Sequence, residues 1–440
     1  MRLGFLAVLV SLSAILSSCG ADDDTGTADG PEGTGGTVDG AGGATGIGGT
    51  GGGAGEATGT GGGSGGNPAS SVTSEQLFDP SRVAAIELEI AASDWDVVVH
   101  EAGIEAVDPT YVRATFTYDG LLLGEIMVRA KGHLEIASDG TYQPSLKLDF
   151  DRVVDEQEFA DQVKLNLHNA ANDPSQLREY LSYGAWRDHG VPAPRTGWAD
   201  LSVNGEALGL YTVVQQVGGK FVEDHFPDHP EGDLYQPELP AGTLQYRGPA
   251  IEDYPEVDHE RVDGTDHAAF LHFVDVLNHG TDAELSSVLD VNGALTYLAG
   301  SVALGNLSYY VGGGDNYYLY ESSAGVFTLI PWDMDQSQED ATEPCGLGTN
   351  PSTPEYDFVL SGRLLGDPIQ LETYFGIMRE ILQGAGSVVA LTQRIDAAEG
   401  TLADRLDPVE VNRIRSYIET RVPGLLTALE FTNTCPLATM

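Results

Sequence analysis

The sequence predicts an α+β fold in which strands fill the first half of the folded region and helices fill the second. Residues 83–90 (VAAIELEI) alternate apolar and polar side chains, which is the pattern of a half-buried strand. Asp119-Gly120 and Asn204-Gly205 separate apolar runs and are typical of two-residue hairpin turns. Beyond residue 267, apolar residues recur at helical spacing. Apolar residues make up 41% of the 440-residue chain, which suffices for one large domain or two ordinary ones.

The predicted strands are apolar or alternating runs bounded by turn residues. They are residues 83–90, 111–118, 121–130, 144–150, 163–167, 198–203, 208–214, 317–320 and 326–331. The predicted helices show a repeat near 3.6 residues. They are residues 92–100, 173–189, 268–278, 292–307, 368–383, 388–402 and 408–429. Residues 218–240 and 244–254 are expected to be loops.

The stretch from Gly312 to Asp335 is the centre of the functional prediction. Its two strands form a predicted hairpin, which would place Asn316, Asp333 and Asp335 at neighbouring strand ends. An amide oxygen beside carboxylates suits Mg²⁺ or Mn²⁺ bound together with phosphate. A buried hairpin followed by a solvated acidic loop is the alternative, and the pattern alone leaves it open.

Charge excludes two classes of ligand. The chain has 67 acidic and 21 basic residues, a formal net charge of −46, and lysine only at positions 131, 147, 164 and 220. Such a surface repels nucleic acid and anionic membranes, so no basic face is expected to bind either. A nucleotide would need a divalent metal and a local group of basic residues.

The N-terminus predicts export. Residues 1–19 contain Arg2, an apolar run over residues 3–16 and small residues before Cys19, as a secretory signal does. The ending resembles a bacterial lipobox, which implies cleavage before Cys19 and lipid on its sulfur. Gly20 in the next position favours the outer membrane in such lipoproteins. The predicted location is therefore the bacterial envelope, with membrane contact only through the lipid anchor; an ordinary signal peptide with a spare cysteine is the alternative.

Residues 20–76 are predicted to be a disordered linker, since they contain almost no large apolar side chains. Residues 77–440 then form the folded domain. With Cys19 lipidated, Cys345 and Cys435 are the remaining cysteines of an exported protein. An oxidising compartment favours a disulfide between them, with two free thiols as the alternative.

Three blocks of sequence occur in order along the folded region. They are VRAKG with PSLKLDF at 128–150, the block from VKLNLHN to VVQQV at 163–217, and GDNYYLY with IPWDMD at 314–335. Together they resemble the CotH kinase family, the spore coat protein H type of atypical secreted kinase. The resemblance covers most of residues 77–340. It implies a diverged protein-kinase-like fold with two lobes, ATP and Mg²⁺ or Mn²⁺ as cofactors, and phosphorylation of serine on a secreted or surface protein.

The resemblance also implies roles for basic and acidic residues near the nucleotide. In phosphoryl transfer a strand lysine holds the α- and β-phosphates and a helix glutamate pairs with it. Lys147 is assigned the phosphate role, with Lys131 as the alternative, and Glu179 is the expected partner. An ordinary surface pair is the competing interpretation of Lys147 and Glu179.

The third block supplies the remaining predicted roles. By the same analogy, Asn316 and Asp333 bind the metal. Asp335 either shares the metal or orients the acceptor hydroxyl.

Several positions depart from the family pattern. Gln143 stands where lysine usually precedes PS, Gln215 where the family has the glutamate of VEQVD, and Gln236 where LYK ends. Ser308 occupies the place of the aspartate expected to be the catalytic base, and a serine hydroxyl is a far weaker proton acceptor. Asp315 is the nearest substitute.

These departures keep a second hypothesis open: a non-catalytic pseudokinase that serves as an adhesion or scaffold module. A hydrolase using the paired acids Asp333 and Asp335 is a third, weaker hypothesis, because no G-x-S-x-G, H-E-x-x-H or Walker motif accompanies them.

Overall fold

The computed structural model describes residues 72–106, 108–136, 140–261, 267–311, 313–323, 325–339 and 357–431. Its first half is a closed barrel of seven strands in the order β1-β2-β3-β4-β5-β7-β6. The barrel strands are β1 (Val83–Ile90), β2 (Val112–Tyr118), β3 (Leu121–Ile136), β4 (Tyr142–Asp149), β5 (Lys164–His168), β6 (Thr196–Val203) and β7 (Glu206–Gln215). Neighbours along this order pair antiparallel except β1 and β6, whose parallel pairing closes the barrel.

The barrel closes because each strand turns alternate side chains inward. In β4, Leu146 and Leu148 are fully buried in an apolar core that also holds Ile86 and Phe116. Side chains at alternating positions of a strand point to opposite faces, so Lys147 lies on the outer face. That outer face carries the functional side chains.

The second half combines a four-stranded sheet with helices. The sheet has the order β11-β10-β8-β9, formed by β8 (Leu234–Pro237), β9 (Val257–Arg261), β10 (Tyr317–Ser323) and β11 (Val326–Pro331). The described helices are α1 (Ser74–Leu77), α2 (Ala92–Gly103), α3 (Arg178–Asp188), α4 (Gly219–His225), α5 (Ala268–His279), α6 (Asp282–Val288), α7 (Val291–Ala303), α8 (Val359–Leu365), α9 (Pro368–Gln383), α10 (Val388–Leu402) and α11 (Pro408–Phe431).

Helix α3 joins the two halves. Trp186 on α3 is almost fully buried and stacks on Tyr297 of α7 with ring centroids 6.3 Å apart. A Cβ atom on Gly300 would lie 2.0 Å from the Trp186 ring, so only glycine admits this contact. Helix α3, which carries Glu179, is therefore packed tightly against α7, the helix that precedes the hairpin of β10 and β11.

The structure contains both strands and helices, consistent with the predicted α+β class, with a strand-rich first half and a helix-rich second half. Closure of the barrel was not predicted. Helix α4 and strand β8 lie within residues 218–240, which were expected to be a loop, and α1 begins at Ser74, inside the stretch assigned to the linker. Strand β9 was not predicted.

No helix in the described ranges combines the length and apolar character needed to cross a bilayer. The predicted signal segment, lipidation at Cys19 and disulfide between Cys345 and Cys435 all fall outside the described residues.

Candidate active site

A pocket lies where the outer face of the barrel meets the chain leaving β11. Its lining residues come from β3, β4, β5, β7, α3 and their loops, and from the segment after β11. They are Lys131, Gly132, Ser145, His168, Asn169, Ala170, Ala171, Asn172, Asp173, Glu179, Thr212, Asp333 and Asp335.

We call Lys131, Ser145, His168 and Thr212 the strand wall of this pocket, since each lies on a barrel strand. His168 of β5 pairs directly with Thr212 of β7. The backbone N–H of Asn169 donates to the Ser145 hydroxyl at 3.0 Å, which ties β4 to the end of β5. Strand pairing thus determines where each polar side chain stands.

The most specific contact of the strand wall is a chain of three side chains. The Lys131 ammonium lies 2.9 Å from Nε2 of His168, and Nδ1 of His168 lies 2.9 Å from Oε2 of Glu179. Lys131 Nζ also lies 4.5 Å from the centre of the Trp332 ring, a cation–π contact. Lys131 and Glu179 are therefore connected through a histidine instead of touching directly.

Lys147 stands on the same outer face but does not line the pocket. It pairs with Arg129 on β3 and with Asn166 on β5, and it is buried. The structure thus brings Lys131, the alternative candidate, to Glu179.

We call Asp315, Asn316, Asp333 and Asp335 the loop wall. The hairpin of β10 and β11 pairs Tyr317 with Pro331, so Asn316 and Asp333 flank neighbouring strand ends, as predicted. Both adopt left-handed backbone conformations, with φ of 58° and 49°. Such values are uncommon for residues other than glycine and are often found at functional sites.

The amide of Asn316 is oriented by the serine that departs from the family pattern. Its Nδ2 donates to Ser308 Oγ at 3.1 Å and to the Ser308 carbonyl at 3.4 Å. The amide oxygen of Asn316 is consequently the atom that could face a cation. Asn316 and Asp315 are not among the residues that line the pocket.

Asp315, Asp335 and Glu179 have raised pKa values. Burial, followed by the charge of Asp333, raises the pKa of Asp315 to about 7. Burial also raises the pKa of Asp335 and of Glu179 well above their ordinary values, and the negative charge of Asp333 is again the next largest cause. Asn172 stabilises one oxygen of Asp335 by donating a hydrogen bond of 3.0 Å.

The pKa of His168 is shifted in the opposite direction from those of these acids. Burial, and then the positive charge of Lys131, lower the pKa of His168 to about 3. His168 is therefore neutral near pH 7, and its contact with Glu179 is a hydrogen bond rather than an ion pair.

The donor set fits a divalent cation that also takes oxygens from phosphate and water. Across the described part of the chain, no three His, Cys, Asp or Glu side chains already stand together as ligands of one metal ion. However, Oε1 of Glu179 and Oδ1 of Asp315 are buried without a hydrogen-bond partner. Hard oxygen donors and uncompensated negative charge are what Mg²⁺ and Mn²⁺ bind.

Two of the departures lie outside the pocket and have structural partners. The Gln143 side chain donates to the carbonyl of Leu208. The Gln215 side chain accepts from the Arg195 backbone at 3.2 Å and donates to Gln162 at 3.3 Å. The side chains of these two glutamines therefore form these hydrogen bonds with residues that do not line the pocket.

The sequence analysis missed His168, Asn172 and Trp332. A signal for His168 was present, because alternation along residues 163–168 (VKLNLH) places it on the same outer face as Lys164 and Asn166.

Comparison with known proteins finds a family match over most of the chain. Residues 128–421 match the family described as CotH kinase protein. Inner spore coat protein H of Bacillus subtilis strain 168 is 26% identical over 286 residues, which span 58% of this chain and 72% of that protein.

Two solved structures show weaker similarity. The proinflammatory kinase CtkA of Helicobacter pylori aligns over 68% of this chain and 97% of its own, with 8% identity and a TM-score of 0.35. The HipA, HipB and operator DNA complex of a Shewanella oneidensis MR-1 toxin–antitoxin system aligns over 61% of this chain and 57% of that one, with 12% identity and a TM-score of 0.33. The family match spans both walls of the pocket, and on that evidence the chain belongs to the CotH kinase family.

Proposed function

We propose that the protein is an ATP- and divalent-metal-dependent kinase of the CotH type, with a diverged two-lobe kinase-like arrangement, that phosphorylates serine on a secreted or surface protein. The observation that carries this proposal is the meeting of Lys131 with Asp333, Asp335 and Glu179 in one pocket. A lysine ammonium that can bind phosphate oxygens, opposite carboxylates that can bind a divalent metal, is the arrangement that a metal–triphosphate requires.

Each wall has its own task in this proposal. Lys131 binds the phosphate oxygens, and His168 and Trp332 hold its ammonium in place. Asp333 and the amide oxygen of Asn316 hold the cation, which neutralises phosphate charge when bound.

The acceptor side is served by Asp335, whose carboxyl is oriented by Asn172. In this proposal Asp335 orients the serine hydroxyl and takes its proton, or shares the metal. Asp315 is the alternative base, and its contact with Ser308 ties it to Asn316.

The test is transfer of labelled γ-phosphate by purified residues 72–440, with ATP and Mn²⁺ or Mg²⁺, to the protein itself or to serine-containing envelope proteins. Asp333→Ala should reduce transfer to background, because it removes the charge opposite Lys131. The matched control is Asp228→Ala, an exposed acid outside the pocket, which should transfer at the wild-type rate. A wild-type protein that neither binds ATP nor transfers phosphate at millimolar metal contradicts the proposal.

A non-catalytic module is the second candidate, and Ser308 at the expected base position favours it. Binding of ATP with no turnover in the same assay would support the module, whereas turnover would reject it.

We also propose export and lipid anchoring at Cys19, with contact to proteins of the bacterial envelope and none to nucleic acid. A net charge of −46 supports the absence of nucleic-acid binding. Cys19→Ala should release the protein from the membrane fraction, and mass spectrometry without reductant should detect the predicted Cys345–Cys435 bridge.

A further inference from the structure

His168 lies between the side chains of Lys131 and Glu179. It is the only described side chain that hydrogen-bonds with both Lys131 and Glu179, each at 2.9 Å. Only 12% of its side chain is exposed, and its ring lies edge-on to Trp332, with ring centroids 6.4 Å apart. The His168 ring is therefore held by three side chains: Lys131, Glu179 and Trp332.

The chemistry of the two contacts selects one tautomer. A lysine ammonium has three donor hydrogens and no acceptor, so Nε2 of His168 must accept from Lys131. Nδ1 then carries the ring proton and donates it to the Glu179 carboxylate. The hydrogen bonds thus run in one direction: the Lys131 ammonium donates to the imidazole, and the imidazole donates to Glu179.

This arrangement leaves Lys131 and Glu179 without a direct ion pair to each other. The two contacts of Lys131 are with a neutral imidazole and an aromatic face, and among the described residues no carboxylate forms an ion pair with it. Glu179 keeps Oε1 buried and without a hydrogen-bond partner in the described structure. A direct lysine–glutamate pair would have neutralised both groups.

We propose that His168 is a positioning residue that fixes the ammonium of Lys131 at the anion side of the pocket and couples it to Glu179, replacing a direct ion pair between the two. The inference rests on the proposed function in taking a nucleotide phosphate as the anion. Its geometric content, the hydrogen-bond chain itself, can be tested without any nucleotide.

Three variants separate positioning from simple packing. His168→Phe keeps a ring of similar size but removes both hydrogen bonds, and His168→Gln keeps one donor and one acceptor. The matched control is His225→Phe, because His225 is a partly buried histidine outside the pocket that bonds the Phe221 carbonyl at 2.8 Å and stacks on the Phe221 ring.

The first measurement is the dissociation constant of ADP by calorimetry, with and without Mn²⁺. His168→Phe should weaken metal-free ADP binding about 10-fold, since a mobile ammonium loses roughly one charge-assisted hydrogen bond. His168→Gln should recover part of that loss, and His225→Phe should bind as the wild type does. His168→Phe and Lys131→Met should be non-additive in a double-mutant cycle, because both interrupt one chain. A folded His168→Phe protein with wild-type affinity would overturn the proposal.

The second measurement reads the ring nitrogens by NMR of protein labelled with ¹⁵N-histidine, with His168→Gln identifying the signal. His168 should be the neutral Nδ1–H tautomer, and Lys131→Met should shift the Nε2 resonance. An Nε2–H tautomer, or an Nε2 resonance unmoved by Lys131→Met, would contradict the inference. A wild-type protein that binds no ADP would remove the kinase proposal, while these resonances would still decide the role of His168.

Discussion

The two walls of the pocket are built by different means. The strand wall stands on paired β-strands, and its polar groups bond to one another, as Lys131, His168 and Glu179 do. The loop wall stands on residues with left-handed backbone conformations and contains carboxylates that repel one another. The polar groups of the strand wall are stabilised by hydrogen bonds without any ligand. The carboxylates of the loop wall would be stabilised by a bound cation.

The difference suggests a division of labour. Positioning is provided by register, which is rigid because slipping a strand by one residue would turn every side chain to the wrong face. Cation affinity is provided by uncompensated negative charge, which costs stability in the absence of metal. Four changes to the protein or its solution conditions probe this contrast.

The largest effect should come from Arg178, whose side chain reaches both Asp173 and Glu339. Arg178 is buried and its Nη2 bonds Glu339 at 2.6 Å, while its Nε lies 3.4 Å from Asp173, a pocket residue. Arg178→Met removes the cation beside the buried Asp173 carboxylate, while Glu339 keeps its pair with Arg413, and it should lower the free energy of unfolding by ~3–5 kcal/mol in urea titration. Arg113→Met, which breaks an exposed pair with Glu125, is the control and should cost under ~1 kcal/mol. Equal losses in the two variants would mean that Arg178 does not stabilise the Asp173 carboxylate.

Metal should act on the loop wall alone. Mn²⁺ at 100 times its dissociation constant should raise the free energy of unfolding by about 2.7 kcal/mol. Asp333→Asn should lose that gain, yet it should be at least as stable as the wild type without metal, because it relieves repulsion on Asp315, Asp335 and Glu179. Thermal unfolding with and without Mn²⁺ measures both effects. A variant that is less stable in both conditions would show that Asp333 has a packing role instead.

The two lysines on the barrel face should differ. Lys131→Met should weaken nucleotide binding by ~1.5–3 kcal/mol, the usual contribution of a hydrogen bond to a charged group. Lys147 lies on the neighbouring strand β4 and outside the pocket, so Lys147→Met should change nucleotide affinity much less. Equilibrium titration of a fluorescent ADP analogue measures both, and the reverse ranking would return the phosphate role to Lys147.

The smallest effect is on pH dependence. The pKa of Asp315 rises from 3.8 to about 7 on folding. Between these two pH values the native state therefore holds a proton on Asp315, whereas the unfolded chain has released it. Stability from this group is present below pH 3.8 and is lost as the pH rises towards 7, at no more than about 1.4 kcal/mol per pH unit. Asp315→Asn should flatten that slope in metal-free urea titrations at pH 5, 6 and 7. An unchanged slope would place the proton elsewhere.

Local patterns predicted most of the elements. The bounds of β1, α9 and α10 agree with the sequence prediction, because alternation and helical periodicity are properties of short segments. Helix α6 was missed although Thr281 and Glu284 form a capping box that the sequence contains. Barrel closure was not accessible, since β1 and β6 are more than a hundred residues apart in the chain.

The choice between the two lysines was beyond sequence analysis for a related reason. Both lie on strands and on the outer face, so alternation alone treats them alike. The register of β3 against β4 shifts between Ala130 and Leu134, next to Lys131. This irregularity, which depends on pairing between strands, accompanies the turn of Lys131 into the pocket.

The closed barrel also determines how the protein can be divided. The family match begins at residue 128, inside β3, whereas β1 and β2 precede it and complete the ring of strands. A fragment cut at that boundary would leave β6 and the remnant of β3 as open edges and would remove Ile86 and Phe116 from the apolar interior. Unpaired edges invite association between chains. An expression fragment intended to stay monomeric should therefore start near residue 72.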